Sequence, residues 1–229
     1  ASRSLSVRIM SDLPVPEEVI NSFTFDPLAL NGGELESVAL YMFERYDLLK
    51  EFDVPLATCD AFVRRVRAAY HAEPRYHTWH HGVDVMHTVY QLLSVTNAGD
   101  YMSKLEFFAS LISALAHDVG HPGVNNAFLV RTKAELALLH NDKSPLENMH
   151  AATLYEILRD PATNVLGALT EDQWQKCRKQ ILACILNTDM ALHFDNLKTL
   201  EMFEEVNGVD VVDFLAKRAS GEASTAVPD

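Results

Sequence analysis

Between Phe107 and Ala116 every residue except Ser110 and Ser113 is apolar, and Ser103 with Glu106 supplies the capping-box pattern that opens a helix just before them. A helix that is apolar nearly all round has no face to give to water, so it must sit at the centre of a core with partners on every side. It is only about half as long as the roughly 20 residues that span a bilayer. Whatever else the chain does, its other elements have to be laid around this one.

Those elements read as helices too. Leu35, Val38, Ala39, Met42, Phe43, Tyr46 and Leu49 recur at helical spacing, as do Cys59, Phe62, Val63, Val66 and Tyr70 ahead of Pro74. Val85, Val89, Leu92 and Leu93 mark a third helix ending before Asn97. Ser144, Pro145 and Glu147 carry the N-cap, first-turn proline and capping-box pattern for a helix through Ala151, Leu154, Tyr155 and Leu158. Thr170 and Gln173 repeat the device ahead of Trp174, Cys177, Ile181, Leu182 and Ile185. The pattern predicts an all-α, compact multi-helix fold in a single domain over residues 1–229, with only Val209 to Phe214 hinting at a strand. Residues 219–229 read as a flexible end. These helices cover the central one on some sides only, which predicts that residues 1–229 alone fold poorly and expose a large apolar patch.

Charge narrows the function. Nineteen Lys and Arg against 32 Asp and Glu leave a net charge of −13, a field that repels phosphate backbones and anionic lipid. A basic nucleic-acid-binding face is excluded, and any chemistry on a small phosphate needs bound cations to supply positive charge locally. Cys59, Cys177 and Cys184 are too few for a disulfide framework and read as buried thiols. No cationic and apolar leader opens the sequence, so it reads as an intracellular, cytoplasmic protein with no transmembrane segment.

The chemistry concentrates around histidine, of which there are 10. His77 and His81 are four apart and share a face if their segment is helical. Alone, such a pair is more often a surface or capping feature. His117-Asp118-Val119-Gly120-His121-Pro122-Gly123 follows the central helix, placing a His-Asp pair where a buried helix opens into a loop. Imidazole and carboxylate together suit Zn²⁺ or another divalent ion, with Asp118 able to bridge to a harder one. The competing explanation is His117 at a helix C-terminus and Asp118 capping the next turn. Glu147 and His150 form another carboxylate-imidazole pair, although Glu147 has a complete structural explanation as third residue of the Ser144 capping box. His150 has none. By spacing alone Asp189 is an ordinary helix-end residue.

Four ordered blocks, Tyr76-His77-Thr78-Trp79-His80-His81-Gly82-Val83-Asp84-Val85, His117 to Asn126, Ser144 to His150 and Thr188-Asp189-Met190-Ala191-Leu192-His193-Phe194, resemble the catalytic domain of the class I 3′,5′-cyclic nucleotide phosphodiesterases. The loop composition resembles the enzymes of kinetoplastid parasites, and the wider relatives are the His-Asp metal-dependent phosphohydrolases. The resemblance implies an all-helical domain with two divalent ions, Zn²⁺ in the tighter site and Mg²⁺, or Mn²⁺, in the other. It implies hydrolysis of cyclic AMP, cyclic GMP or both to the 5′-monophosphate. By the same resemblance His81, His117 and Asp118 match metal ligands, and His77 matches the general acid that protonates the departing 3′-oxygen. His121, Glu147, His150, Thr188 and Asp189 match residues that order the ligands and metal-bound water. Tyr76 and Met190 match residues lining the substrate pocket.

The sequence departs from the family pattern at Thr78, Gly82 and Met149, where Asn, Ala and His are common, without losing a ligand or the acid. The family's last metal-ligating Asp, its purine-reading Gln and its aromatic clamp have no match before Asp229. The expectation is that residues 1–229 form the N-terminal and central part of one catalytic domain and are inactive alone. Competing readings are another phosphohydrolase of the His-Asp superfamily and a non-catalytic metal- or nucleotide-binding domain.

Overall fold

The computed structural model describes residues 13–96 and 98–207, and their regular elements are all helices. The chain divides into two units, Ala1–Thr188 and Asp189–Asp229. The first contains α1 (Glu17–Ile20), α2 (Gly32–Glu44), α3 (Leu48–Glu51), α4 (Leu56–Ala69), α5 (Trp79–Val95), α6 (Lys104–Ala116), α7 (Asn126–Arg131), α8 (Glu135–Leu139), α9 (Pro145–Leu158) and α10 (Glu171–Leu186). In the second, a 3₁₀ turn over Met190–Leu192 leads into α11 (His193–Asn207), whose Phe194, Leu200 and Met202 are exposed. The hinted strand at Val209 to Phe214 and the tail from Ala219 lie outside the described residues. Among the described residues no helix is long and apolar enough to cross a membrane.

α6 is the axis of the first unit. It packs along α5 on one side and α10 on the other, with α3 and α9 closing the gaps. Phe108, Ala109, Leu111, Ile112, Leu115 and Ala116 are each 0% exposed, so the expectation of a partly uncovered central helix is not met. The cover comes from α10, which the sequence marks only as one more amphipathic helix. Gln180 of α10 donates to Glu106 O at 2.9 Å and to Ser110 Oγ at 3.0 Å, and Ser113 donates to Ala109 O at 2.6 Å. Both polar interruptions of the apolar run are thereby satisfied inside the core.

Side-chain caps open α2, α6, α7 and α10. Ser103 and Glu106 form the expected capping box at α6, and Thr170 and Gln173 form the one at α10. At α9 the same pattern fails. Ser144 lies at φ 43°, in the left-handed region, and its side chain makes no capping hydrogen bond. The periodicity from Leu35 to Leu49 belongs to two helices and not one, because Asp47 at φ 56° turns the chain between α2 and α3 while Leu48 and Leu49 stay buried on the same core. Cys59 and Cys177 are buried as expected, and burial pushes the Cys177 thiol up to about 12. Cys184, two turns further along α10, is exposed, which corrects the expectation of three buried thiols; it sits at the margin of the α6 contact, its thiol beside Ser113.

Two hydrogen bonds fix the start of α5 against the chain entering α2. Trp79 Nε1–H donates to Gly32 O at 3.1 Å, and His80 Nε2 lies 3.0 Å from Leu30 O. They hold the first turn of α5, and with it His81, at the end of α6.

The α6 cap is directly measurable. Ser103→Ala should lower the unfolding free energy by about 1 kcal/mol in urea titration. An unchanged unfolding free energy would contradict the assignment of Ser103 as the cap.

Candidate metal centre

α6 ends in a tight turn. Val119 N–H donates to Ala116 O at 3.2 Å and His121 N–H to Asp118 O at 3.1 Å. Gly120 and Gly123 follow at φ +78° and +81°, conformations open chiefly to glycine. The turn delivers His117, Asp118 and His121 to one spot within five residues. α5 brings His81 there from its first turn and α9 brings His150.

The buried Asp118 carboxylate is where they meet. Its Oδ2 lies 3.3 Å from His81 Nε2 and 3.2 Å from His117 Nε2, and its Oδ1 lies 3.6 Å from His150 Nε2. His117 Nδ1 is 2.9 Å from Ala114 O and His150 Nδ1 is 2.8 Å from Val119 O. A carbonyl accepts only, so both Nδ1 atoms carry the hydrogen and both neutral rings turn a lone pair toward the carboxylate. Acceptors aimed at one another at this range need a proton or a metal cation between them. Donor atoms about 3.4 Å apart are what a tetrahedral ion with ligands at about 2.1 Å requires, so the donor set fits a divalent metal.

Two groups of ligand atoms form, His81, His117 and Asp118 in one and Asp118, His121 and His150 in the other, with the atoms of each within 4.8 Å of one another. Asp118 belongs to both. His121 differs from the other two imidazoles on the turn and α9, because Gly123 N–H donates to its Nδ1 at 2.9 Å. That bond leaves the hydrogen of neutral His121 on Nε2, suiting it to donate to an oxygen.

Charge follows the geometry. Burial opposes ionisation of Asp118, but hydrogen bonds from His117 and His81 outweigh it and hold the carboxyl far below its usual range. Burial alone would lower His117, yet the adjoining carboxylate raises it above its ordinary value. Burial lowers His77 and His121, and pushes His150 down to about 4.

His77 is not on the helix. α5 begins at Trp79 after the N-cap Thr78, so the four-residue spacing from His81 does not place the two on one helical face. They converge by another route. The His77 ring stacks on His121 at 3.8 Å with planes 8° apart, and its centroid lies 5.9 Å from that of His81. Tyr76, largely exposed, covers His81 at 4.4 Å and meets His77 edge-on at 5.1 Å. A cleft of about 370 Å³ opens beside them, lined by Asp26, Leu28, Arg75, Tyr76, His81 and Asp84. A second cavity of about 450 Å³, among Tyr46, Leu93, Met102 and Phe107, lies at the other end of α5 from the histidines.

Glu147 is buried and accepts from Asn126 Nδ2 at 2.9 Å, while Asn126 Oδ1 accepts from Leu146 N–H at 3.0 Å. These bonds tie α9 to α7 beside the cluster. Asn126 was not among the residues expected from sequence; its only signal is a second Asn directly after the α7 cap Asn125. Thr188 spends its hydroxyl on Ile185 O at 2.7 Å, at the end of α10. In the second unit Asp189 caps the following 3₁₀ turn by accepting from Ala191 N–H, and Met190 is exposed.

The model of the 3′5′-cyclic nucleotide phosphodiesterase family matches residues 76–222. The chain is 40% identical over 180 residues to the 3′,5′-cyclic-nucleotide phosphodiesterase regA of Dictyostelium discoideum, covering 79% of this chain and 23% of that protein. It is 33% identical over 189 residues to the mouse dual specificity calcium/calmodulin-dependent 3′,5′-cyclic nucleotide phosphodiesterase 1C, covering 80% of this chain and 27% of that one. It therefore spans about a quarter of the length of these relatives. The crystal structure of the phosphodiesterase domain of a rhodopsin-phosphodiesterase fusion from the choanoflagellate Salpingoeca rosetta superposes with a TM-score of 0.81 at 32% identity, over 93% of this chain and 65% of that one. A helical bundle that collects imidazoles around one carboxylate at the end of its central helix, matched in sequence and in structure, makes this chain a member of the 3′,5′-cyclic nucleotide phosphodiesterase family.

Proposed function

We propose that the protein hydrolyses a 3′,5′-cyclic nucleotide, cyclic AMP, cyclic GMP or both, to the 5′-monophosphate, and that this chain supplies the N-terminal and central part of the catalytic domain. The observation that carries the reading is Asp118 shared by two donor groups with His77 stacked beside them. His81, His117 and Asp118 would hold one divalent ion, Zn²⁺ by donor type, and Asp118 would reach a second, harder ion such as Mg²⁺ or Mn²⁺. When bound, divalent ions supply the positive charge and the acidified water that phosphodiester hydrolysis needs at neutral pH, which a chain of net charge −13 does not otherwise offer.

The remaining roles belong to side chains. His77 donates a proton to the departing 3′-oxygen; burial makes its imidazolium a stronger acid than free histidine. His121, its hydrogen held on Nε2 by Gly123, donates to a phosphate or water oxygen and keeps the His77 ring stacked in place. Glu147, oriented by Asn126, and His150, oriented by Val119 O, order the Asp118 side of the site. Tyr76, packed on His77 and His81, lines the substrate pocket; the roles of Thr188, Asp189 and Met190 rest on the family resemblance alone.

In the full-length protein, His77→Ala should lower turnover by about 10²- to 10⁴-fold while metal content stays near that of the parent. Loss of metal in step with activity would make His77 a ligand and remove it as the acid.

Metal uptake should also release protons in a pH-dependent way. His117, raised above its ordinary value by the adjoining carboxylate, holds a proton at mildly acidic pH more readily than free histidine and must lose it before its Nε2 can bind an ion. Asp118 is already ionised and His150 already neutral there, so neither adds to the release. Zn²⁺ titrations in buffers of different ionisation enthalpy should show release that is large near pH 6 and declines toward pH 9. A release independent of pH across that range would contradict the His117 assignment.

A further inference from the structure

The turn that carries Asp118 depends on a group outside both donor sets. In an unbroken helix Leu115 O would accept from Val119 N–H, but that N–H goes to Ala116 O instead, leaving the Leu115 carbonyl without its helical partner. Tyr70, buried at the end of α4, supplies one: its hydroxyl donates to Leu115 O at 2.9 Å across 45 residues of sequence. That bond ties the Tyr70 hydroxyl to the carbonyl that opens the Leu115–Asp118 turn.

Space for that oxygen comes from Gly82. A Cβ there would lie 2.6 Å from Tyr70 Oη, closer than real Cβ contacts come, and 3.1 Å from Leu115 O, a tight contact. Gly82 directly follows His81, so the missing side chain serves two ends. It admits the Tyr70 hydroxyl, and it lets α5 approach the end of α6 closely enough for His81 to reach Asp118. The Tyr70 ring is fixed in turn against Trp79, whose indole is tied to Gly32.

We propose that Tyr70 is a positioning residue, its hydroxyl seated in the space left by Gly82 and holding the Leu115–Asp118 turn so that the Asp118 carboxylate points at His81 and His117. It acts through Asp118 and not on substrate.

Tyr70→Phe keeps the ring and deletes the hydroxyl. In the metal-free chain, amide hydrogen exchange read by NMR should quicken at Val119, whose N–H closes the turn on Ala116 O, by about fivefold or more relative to Val63 in the middle of α4. A general loss of stability would quicken both, so the ratio isolates positioning. Tyr41→Phe, which deletes another largely buried hydroxyl bonded to Glu17 at 2.7 Å, should leave the ratio unchanged. Gly82→Ala, which displaces the Tyr70 hydroxyl, should raise the ratio as Tyr70→Phe does, and it serves as the test if Tyr70→Phe does not fold. Co²⁺ titration supplies a second readout: Tyr70→Phe should weaken Co²⁺ binding by about tenfold and change its visible absorption. Only this readout rests on the metal reading above, and a parent chain that takes up no Co²⁺ would contradict that reading while the exchange ratio still decides the role of Tyr70. An exchange ratio unchanged in Tyr70→Phe overturns the proposal.

Discussion

A buried carboxylate surrounded by imidazoles is the constraint on which this molecule turns. Asp118 has almost no water to solvate its charge, so the protein must answer it with protons or with metal. His81 and His117 face one of its oxygens and His150 the other. Backbone carbonyls fix the His117 and His150 tautomers so that lone pairs, not hydrogens, point inward. Without a cation that arrangement is electrostatically unfavourable, and the carboxylate accordingly raises His117 above its ordinary value. The fold brings together three separate segments, the start of α5, the end of α6 and the middle of α9, and places them around a charge that none could hold alone.

The rigidity that this demands comes from α6. A helix covered by α5, α10, α3 and α9 cannot shift without opening the core, so its C-terminal turn is a fixed platform. The ties from Trp79 and His80 to the chain entering α2 fix His81 in the same frame, and the Asn126–Glu147 bond fixes α9. Side chains held this way need little reorganisation to meet an ion, which is what a preorganised site requires.

How much of this the sequence discloses depends on how local the physics is. The capping boxes at Ser103 and Thr170 and the burial of the Phe107–Ala116 run are properties of a few neighbouring residues, and the structure bears them out. Ser144 and Glu147 spell the same box, yet the Ser144 side chain makes no capping bond, and a residue 21 positions away, Asn126, donates to the Glu147 carboxylate. No local pattern reveals so distant a partner. His77 and His81 do converge, but through the His121 stack and not through the helical face that their spacing suggests. The cover over α6 is not legible in the sequence because amphipathic spacing in α10 marks an apolar face without saying which partner it meets. Tyr70 carries no motif at all; its place is set by where α4, α5 and α6 cross.

The claim that Asp118 serves both donor groups is tested most directly by counting bound metal in Asp118→Asn, which keeps the shape of the side chain and removes its charge. Elemental analysis after equilibration with Zn²⁺ and Mn²⁺ and removal of free ion should find both ions lost relative to the parent protein, with a near-parental melting profile in the metal-free state. Retention of both ions at parental stoichiometry would contradict the shared-carboxylate account.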